Sequence, residues 1–233
     1  MNIARSASFF CAFAASYSLF SSSHASFAAP LRVAASKSGV SKAPTLSFDI
    51  TARVGATGAY AGPQQTIQAR VALRGNAARI ESNSGGTPSV VLFSPPYIYR
   101  LLPQSKAGVR WKIDTKKPSN YASFDPQQIL RDPSKIKVAL LRGGAKKVGA
   151  GILGGTPVDI YQAKNFERRG QNAKVWLRRS DSLPLRLEAS GGQLQIVASW
   201  RNYTRPNLPD SVFGPPASFR VRNMSGSPPF SAL

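Results

Sequence analysis

A chain of 233 residues favours a single domain with enough length for a sizeable core, and 31 Lys and Arg against 10 Asp and Glu give it a net charge of +21. That imbalance points to an anionic partner. The cations are scattered singly or in pairs and no nucleic-acid recognition motif is present, so nucleic acid is not the expected one.

The first residues read as a secretory leader. Arg5 supplies the basic start, the run SASFFCAFAASYSLF is apolar and uncharged, and SSSHASFAAP carries small-x-small spacing with cleavage expected after Ala25 or Ala28. Residues 1–28 are too short and wrongly flanked for a membrane span, so the expected location is periplasmic or otherwise secreted. The SFF before Cys11 is not the small-residue box of a lipid-modified cysteine. Cys11 and His24, the single Cys and the single His, both leave with the leader. The processed chain then has no disulfide, no usual zinc ligand set and no Ser/His or Cys/His catalytic arrangement. We therefore expect no enzyme, no metal and no cofactor.

Residues 29–44, small, polar and basic, read as a flexible linker. Alternation with period two, the mark of half-buried strands, then dominates. In TLSFDITARV, Leu46, Phe48, Ile50, Ala52 and Val54 point one way; in TIQARVALR, Ile67, Ala69, Val71 and Leu73 do the same. SVVLF and YIYRLL read as more fully buried strands, and VRWKID sets Val109, Trp111 and Ile113 on one side. Asp125-Pro126 and Asp132-Pro133 each place a good N-cap before a proline suited to the first helical turn, so two short helices are expected. Ile136, Ala139 and Leu140 form the stripe of the second, and Gly143-Gly144 ends it. Strands resume with VDIYQA, LPLRLE (Leu183, Leu185, Leu187) and QLQIVASWRNY (Leu194, Ile196, Ala198, Trp200). Gly, Pro, Asn and Ser clusters separate the segments at hairpin spacing. The expected architecture is a meandering antiparallel sheet with one apolar face, interrupted once by a helical pair.

Gly149-Ala150-Gly151-Ile152-Leu153-Gly154 matches G-x-G-x-x-G, but no strand precedes it and no helix opens at its third glycine, so a hairpin or bend is expected rather than a nucleotide site. Ser134-Lys135-Ile136-Lys137 matches S-x-x-K without its partner motifs. Asn202-Tyr203-Thr204 and Asn223-Met224-Ser225 are glycosylation sequons only for a glycosylating host.

The order GGTPVDIYQAKN, AKVWLRRSDSLPLRLEASGG and ASWRNYTRPNLPDSVFGPPASFRV resembles the periplasmic LolA-like lipoprotein-carrier superfamily over residues 46–221. Ala217 stands where the carriers usually have glycine after the paired prolines, and Arg70, Arg74 and Arg79 are alternatives for their functional arginine. The resemblance implies a mainly β fold with a short helical lid: a single incomplete antiparallel β-barrel, or half-barrel, over residues 45–222, enclosing an apolar cavity, with a polar tail at 223–233. It implies a non-enzymatic carrier of lipoprotein or lipid acyl chains, moving them from an inner-membrane donor towards an outer-membrane acceptor. Phe48, Ile50, Ile67, Trp111, Leu140, Trp176 and Trp200 are the expected lining. The alternative is an envelope regulatory or scaffold protein whose basic surface binds an anionic envelope component or a protein partner.

Overall fold

The computed structural model describes residues 44–56, 64–84, 86–112, 134–164, 170, 172–191 and 194–226. The leader and linker readings, and the helix expected at Asp125-Pro126, lie outside them.

Each long alternating segment becomes a strand: β1 (Thr45–Ala56), β2 (Gln65–Arg74), β3 (Ala77–Ser84), β4 (Thr87–Ser94), β5 (Tyr97–Leu102) and β6 (Ala107–Lys112). One helix follows, α1 (Ser134–Arg142). The second half supplies β7 (Lys146–Leu153), β8 (Thr156–Lys164), β9 (Asn172–Arg178), β10 (Pro184–Gly191), β11 (Leu194–Thr204) and β12 (Arg220–Met224). They form one sheet in the order β12-β6-β5-β4-β3-β2-β1-β11-β10-β9-β8-β7. The meander runs outward on both sides of β1 and β11, and the sheet does not close; β12 and β7 are its two edges. All pairings are antiparallel except β12 on β6, where the expectation of a purely antiparallel sheet fails. The chain reaches β6 again from the far half of the sheet, so its direction is set by the approach and not by a hairpin.

Register explains which residues are buried. Phe48 stands opposite Val71, Ile50 opposite Ala69 and Trp200, and Ala52 opposite Ile67 and Ala198. Because side chains alternate, those positions share one face and Asp49, Thr51 and Arg53 take the other. The same face carries Ile80, Val91 and Ile98 in the first half and Leu187, Val175 and Tyr161 in the second, within one continuous cluster. Two polar residues on this face pair with each other: Ser82 and Ser89 stand opposite across β3 and β4 and share a 3.0 Å hydrogen bond.

The opposite face has its own smaller cluster. Val90, Leu92, Tyr99 and Leu101 are covered by Phe219 and Val221, so the end of the chain forms a second layer over β4 and β5. Gly108 lets β6 lie this close to β5, since a Cβ there would fall 2.5 Å from the Leu101 side chain and 2.8 Å from the Arg100 carbonyl oxygen.

α1 ends as its sequence requires. The Gly144 N–H donates to Leu141 and the Ala145 N–H to Leu140, with Gly144 at φ 81°, a conformation glycine adopts without a Cβ clash. Glycines also decide the G-x-G-x-x-G stretch. Gly149 and Gly151 lie within β7, while Gly154 and Gly155, at φ 55° and 78°, form the two-residue hairpin into β8. Both central positions of such a turn need positive φ. No helix follows, and no phosphate cradle exists there.

Candidate functional site

Four expected lining residues meet at the centre of the sheet. Phe48 and Ile50 project from β1, Ile67 from β2 and Trp200 from β11, all on the apolar face. Phe48, Ile67 and Trp200 are buried, whereas Ile50 is only partly covered. Leu140 of α1 packs against the same cluster, giving the helix its inward contact. The side chains of Ile136 and Ala139 lie outside the described residues. Trp111 is on this face too, opposite Ile98, but four strands from Ile67. It does not join the central group.

Trp176 departs from the expected grouping. It stands opposite Arg186 and Ile160, while its neighbours Val175 and Leu177 point into the cluster. Its ring is on the outer face, with the Lys174 ammonium 5.2 Å and the Arg186 guanidinium 5.8 Å from its centroid. Strand parity, with Ala173, Val175 and Leu177 inward, puts it there.

One end of the apolar face is closed by a polar assembly. Tyr203 packs against Phe48 with ring centroids 5.2 Å apart, and its hydroxyl donates to the Pro184 carbonyl at 2.6 Å. Burial pushes the Tyr203 phenol well above its ordinary range, so it stays a neutral donor. Above the ring sits Arg178, which holds Asp181 through two bonds of 2.8 and 2.6 Å. Burial raises the Asp181 carboxyl, but the Arg178 bonds, the Leu183 N–H and the charges of Arg178 and Arg205 outweigh it, so the pKa is lowered.

A carboxyl with a folded pKa below its unfolded value stabilises the protein above the unfolded value, near 3.9, and loses that contribution as pH falls through the folded one. Asp181→Asn is therefore expected to cost about 1 kcal/mol at pH 7, as for a partly exposed ion pair, and less at pH 2. Urea unfolding at the two pH values checks this; an equal loss at both would place the effect in packing.

Tyr161 is the cluster's one buried side chain with an unmatched polar atom: its hydroxyl has no hydrogen-bond partner. Removing an unpaired buried hydroxyl relieves its desolvation, so Tyr161→Phe is expected to raise stability by about 1 kcal/mol. A lower urea midpoint would show that the hydroxyl is paired in solution.

The three candidate arginines all lie on the outer face. Arg70 pairs with Asp49 at 3.2 Å. Arg74 and Arg79 grip the chain end: Arg74 donates to the Leu208 carbonyl at 2.7 Å and pairs with Asp210, and Arg79 donates to the Val212 carbonyl at 3.0 Å. Phe213 is buried under the Arg74 guanidinium, 4.4 Å from its ring centroid. The NLPDSVFGPP segment is thus a strap fastened over β2 and β3, and none of these arginines touches the apolar face.

Among the described residues, no group of His, Cys, Asp and Glu side chains is placed to hold a metal, and no helix is long and apolar enough to cross a membrane. A recess of about 300 Å³ is lined by Thr156, Pro157, Arg178, Arg179 and Ser180, away from the four central residues.

No protein-family model matches the chain, and no curated protein does. Among solved structures, it is similar to an uncharacterized conserved protein from Thermus thermophilus, with 10% identity, 77% of this chain and 90% of that one covered, and a TM-score of 0.51. It is similar at 14% identity to the lipoprotein LppX of Mycobacterium tuberculosis, with 70% and 89% covered and a TM-score of 0.43. A LolA superfamily protein from Nitrosomonas europaea is similar at 10% identity, with 73% and 90% covered and a TM-score of 0.37. At these identities the similarity is one of fold.

Proposed function

We propose that the protein is a non-enzymatic carrier that binds the acyl chains of lipids or lipoproteins on its apolar sheet face and moves them through the periplasm. The observation that supports it best is the partly open middle of that face. Ile50, Ala52, Val54, Phe93 and Leu140 pack on the buried cluster and yet keep surface of their own. The resemblance of residues 46–221 to the lipoprotein carriers supports the same reading, in which the sheet curls into a half-barrel and α1 serves as part of a lid.

The physical need is plain. Each buried methylene contributes about 0.8 kcal/mol, so a C16 chain in water costs on the order of 12 kcal/mol. No such chain crosses an aqueous compartment unaided. In this reading the leader directs the protein across the inner membrane, a membrane-bound donor loads it and an outer-membrane acceptor unloads it. Phe48, Ile50, Ile67, Leu140 and Trp200 would line the site.

Native and denaturing mass spectrometry of protein purified gently from an envelope extract tests the reading. A stoichiometric acylated ligand supports it and identifies the cargo. A clean apo mass, with no binding of a fluorescent fatty-acid probe, would reject it.

The regulatory or scaffold reading is favoured by a different observation: the outer face carries cations that no described carboxylate neutralises. Salt separates the two, since surface ionic binding weakens as ionic strength rises and acyl burial does not.

A further inference from the structure

We infer that the outer face of strands β2, β1, β11, β10 and β9 is a docking surface for an anionic bilayer, with Trp176 as its interfacial anchor. Register places Arg70, Asp49 and Arg201 in one row across β2, β1 and β11. A second row runs from Arg53 through Val197 and Glu188 to Lys174. Between them lies Thr51-Ser199-Arg186-Trp176. These three rows therefore hold five cations and two carboxylates, Asp49 and Glu188.

Both carboxylates are already engaged. Asp49 accepts from Arg70 and Asn202, and Glu188 from Arg186. Arg53, Lys174 and Arg201 are exposed and have no carboxylate partner among the described residues. The strap that covers the outer face further along the sheet is fastened over β2 and β3 and contacts β3 and β4, so among the described residues it leaves the outer face of β1, β11, β10 and β9 uncovered.

The chemistry selects a bilayer. With neighbouring strands about 4.8 Å apart, the cations form a shallow grid roughly 20 Å across, not a groove that tracks one polymer. Arg and Lys beside a half-buried Trp are the side chains that settle at a headgroup layer, the charged tips in water and the aromatic body below them. The negative surface potential of anionic lipid supplies the attraction. This inference stands apart from the acyl-carrier reading, since it uses the opposite face and needs no cargo.

Co-sedimentation with vesicles of phosphatidylglycerol and phosphatidylcholine, against phosphatidylcholine alone, tests it. Binding to the mixed vesicles only is expected, falling at least tenfold between 50 and 300 mM salt. The variant Arg53→Gln/Lys174→Gln/Arg186→Gln is expected to bind about 100-fold more weakly, at roughly fivefold for each lost cation. Bromine-labelled acyl chains are expected to quench the wild type and to quench Trp176→Phe far less, because Trp111 and Trp200 are buried on the other face. Equal binding to both vesicle types, or unchanged quenching in Trp176→Phe, would overturn the inference. So would salt-sensitive capture of a protein partner without vesicle binding. These last measurements use the wild type or a conservative variant, so they decide the matter even if the triple variant does not fold.

Discussion

Arg74→Ala is expected to lower the free energy of unfolding by about 3 kcal/mol and to release the chain end from the sheet. The guanidinium is almost wholly buried and has three partners: the Leu208 carbonyl, the Asp210 carboxylate and the face of Phe213. A hydrogen bond from a charged donor contributes about 1.5–3 kcal/mol. The contact over the aromatic ring adds about 0.5–2 kcal/mol. Asp210 is half exposed and regains water when its partner leaves, so the loss stays below that for an isolated buried charge.

Arg74→Lys should recover less than half of it, because an ammonium cannot serve carbonyl, carboxylate and ring from one planar fork. Phe213→Ala alone is expected to cost about 3 kcal/mol, and the double variant less than the two single losses together, since both remove one contact. Urea unfolding of the four proteins checks this, with hydrogen exchange at β12 reporting the release. Additive losses would show that strap and arginine act separately.

The strands that sequence made legible are those with large apolar residues at every second position. β1, β2 and β11 show it most clearly, because four or five inward positions agree in each. β3 has the same alternation, but Ile80 is its one large inward residue and the inward Ser82 is polar, so the pattern is faint until Ser89 is seen opposite. β7 has no buried residue. As an edge strand rich in Lys and Gly it presents neither face to the core, and no periodicity marks it. β12 pairs in parallel with a strand more than 100 residues earlier, a contact no local pattern encodes.

The candidate site divides in the same way. That Phe48, Ile50, Ile67 and Trp200 share one face is readable because strand parity and apolar character agree there. Trp176, expected among the lining for its aromatic character, follows strand parity to the outer face, because Ala173, Val175 and Leu177 fix the inward set. The anchoring role of Arg74 and Arg79 was hidden. Their strap partners lie more than 130 residues away, and the Arg79 pairing with Glu81 two residues on gives no hint of them, so the local sequence does not distinguish them from Arg70 on the same face.

Ile50→Asp is expected to weaken binding of a fluorescent fatty-acid probe at least 100-fold, while Thr51→Asp, one residue further on, leaves it unchanged. Ile50 lies between Ala69 and Trp200 at the part-covered centre of the apolar face; Thr51 lies between Gln68 and Ser199 on the outer one. A chain lying across Ile50 buries three or four methylenes against it, about 3 kcal/mol or more than a hundredfold in affinity. A carboxylate at that point also makes the chain displace its hydration. Because Ile50 is only partly covered, the aspartate keeps water in the free protein and the fold survives, which urea unfolding of both variants verifies. Trp200 beside it gives a second readout, with its emission shifting on loading in the wild type and not in Ile50→Asp. The paired design uses the strand's own geometry: the same charge, one position apart, falls on opposite faces. Equal weakening by both variants would mean that charge, not the apolar face, governs the interaction. No weakening by either would place the acyl chain elsewhere and end the carrier reading built on this face.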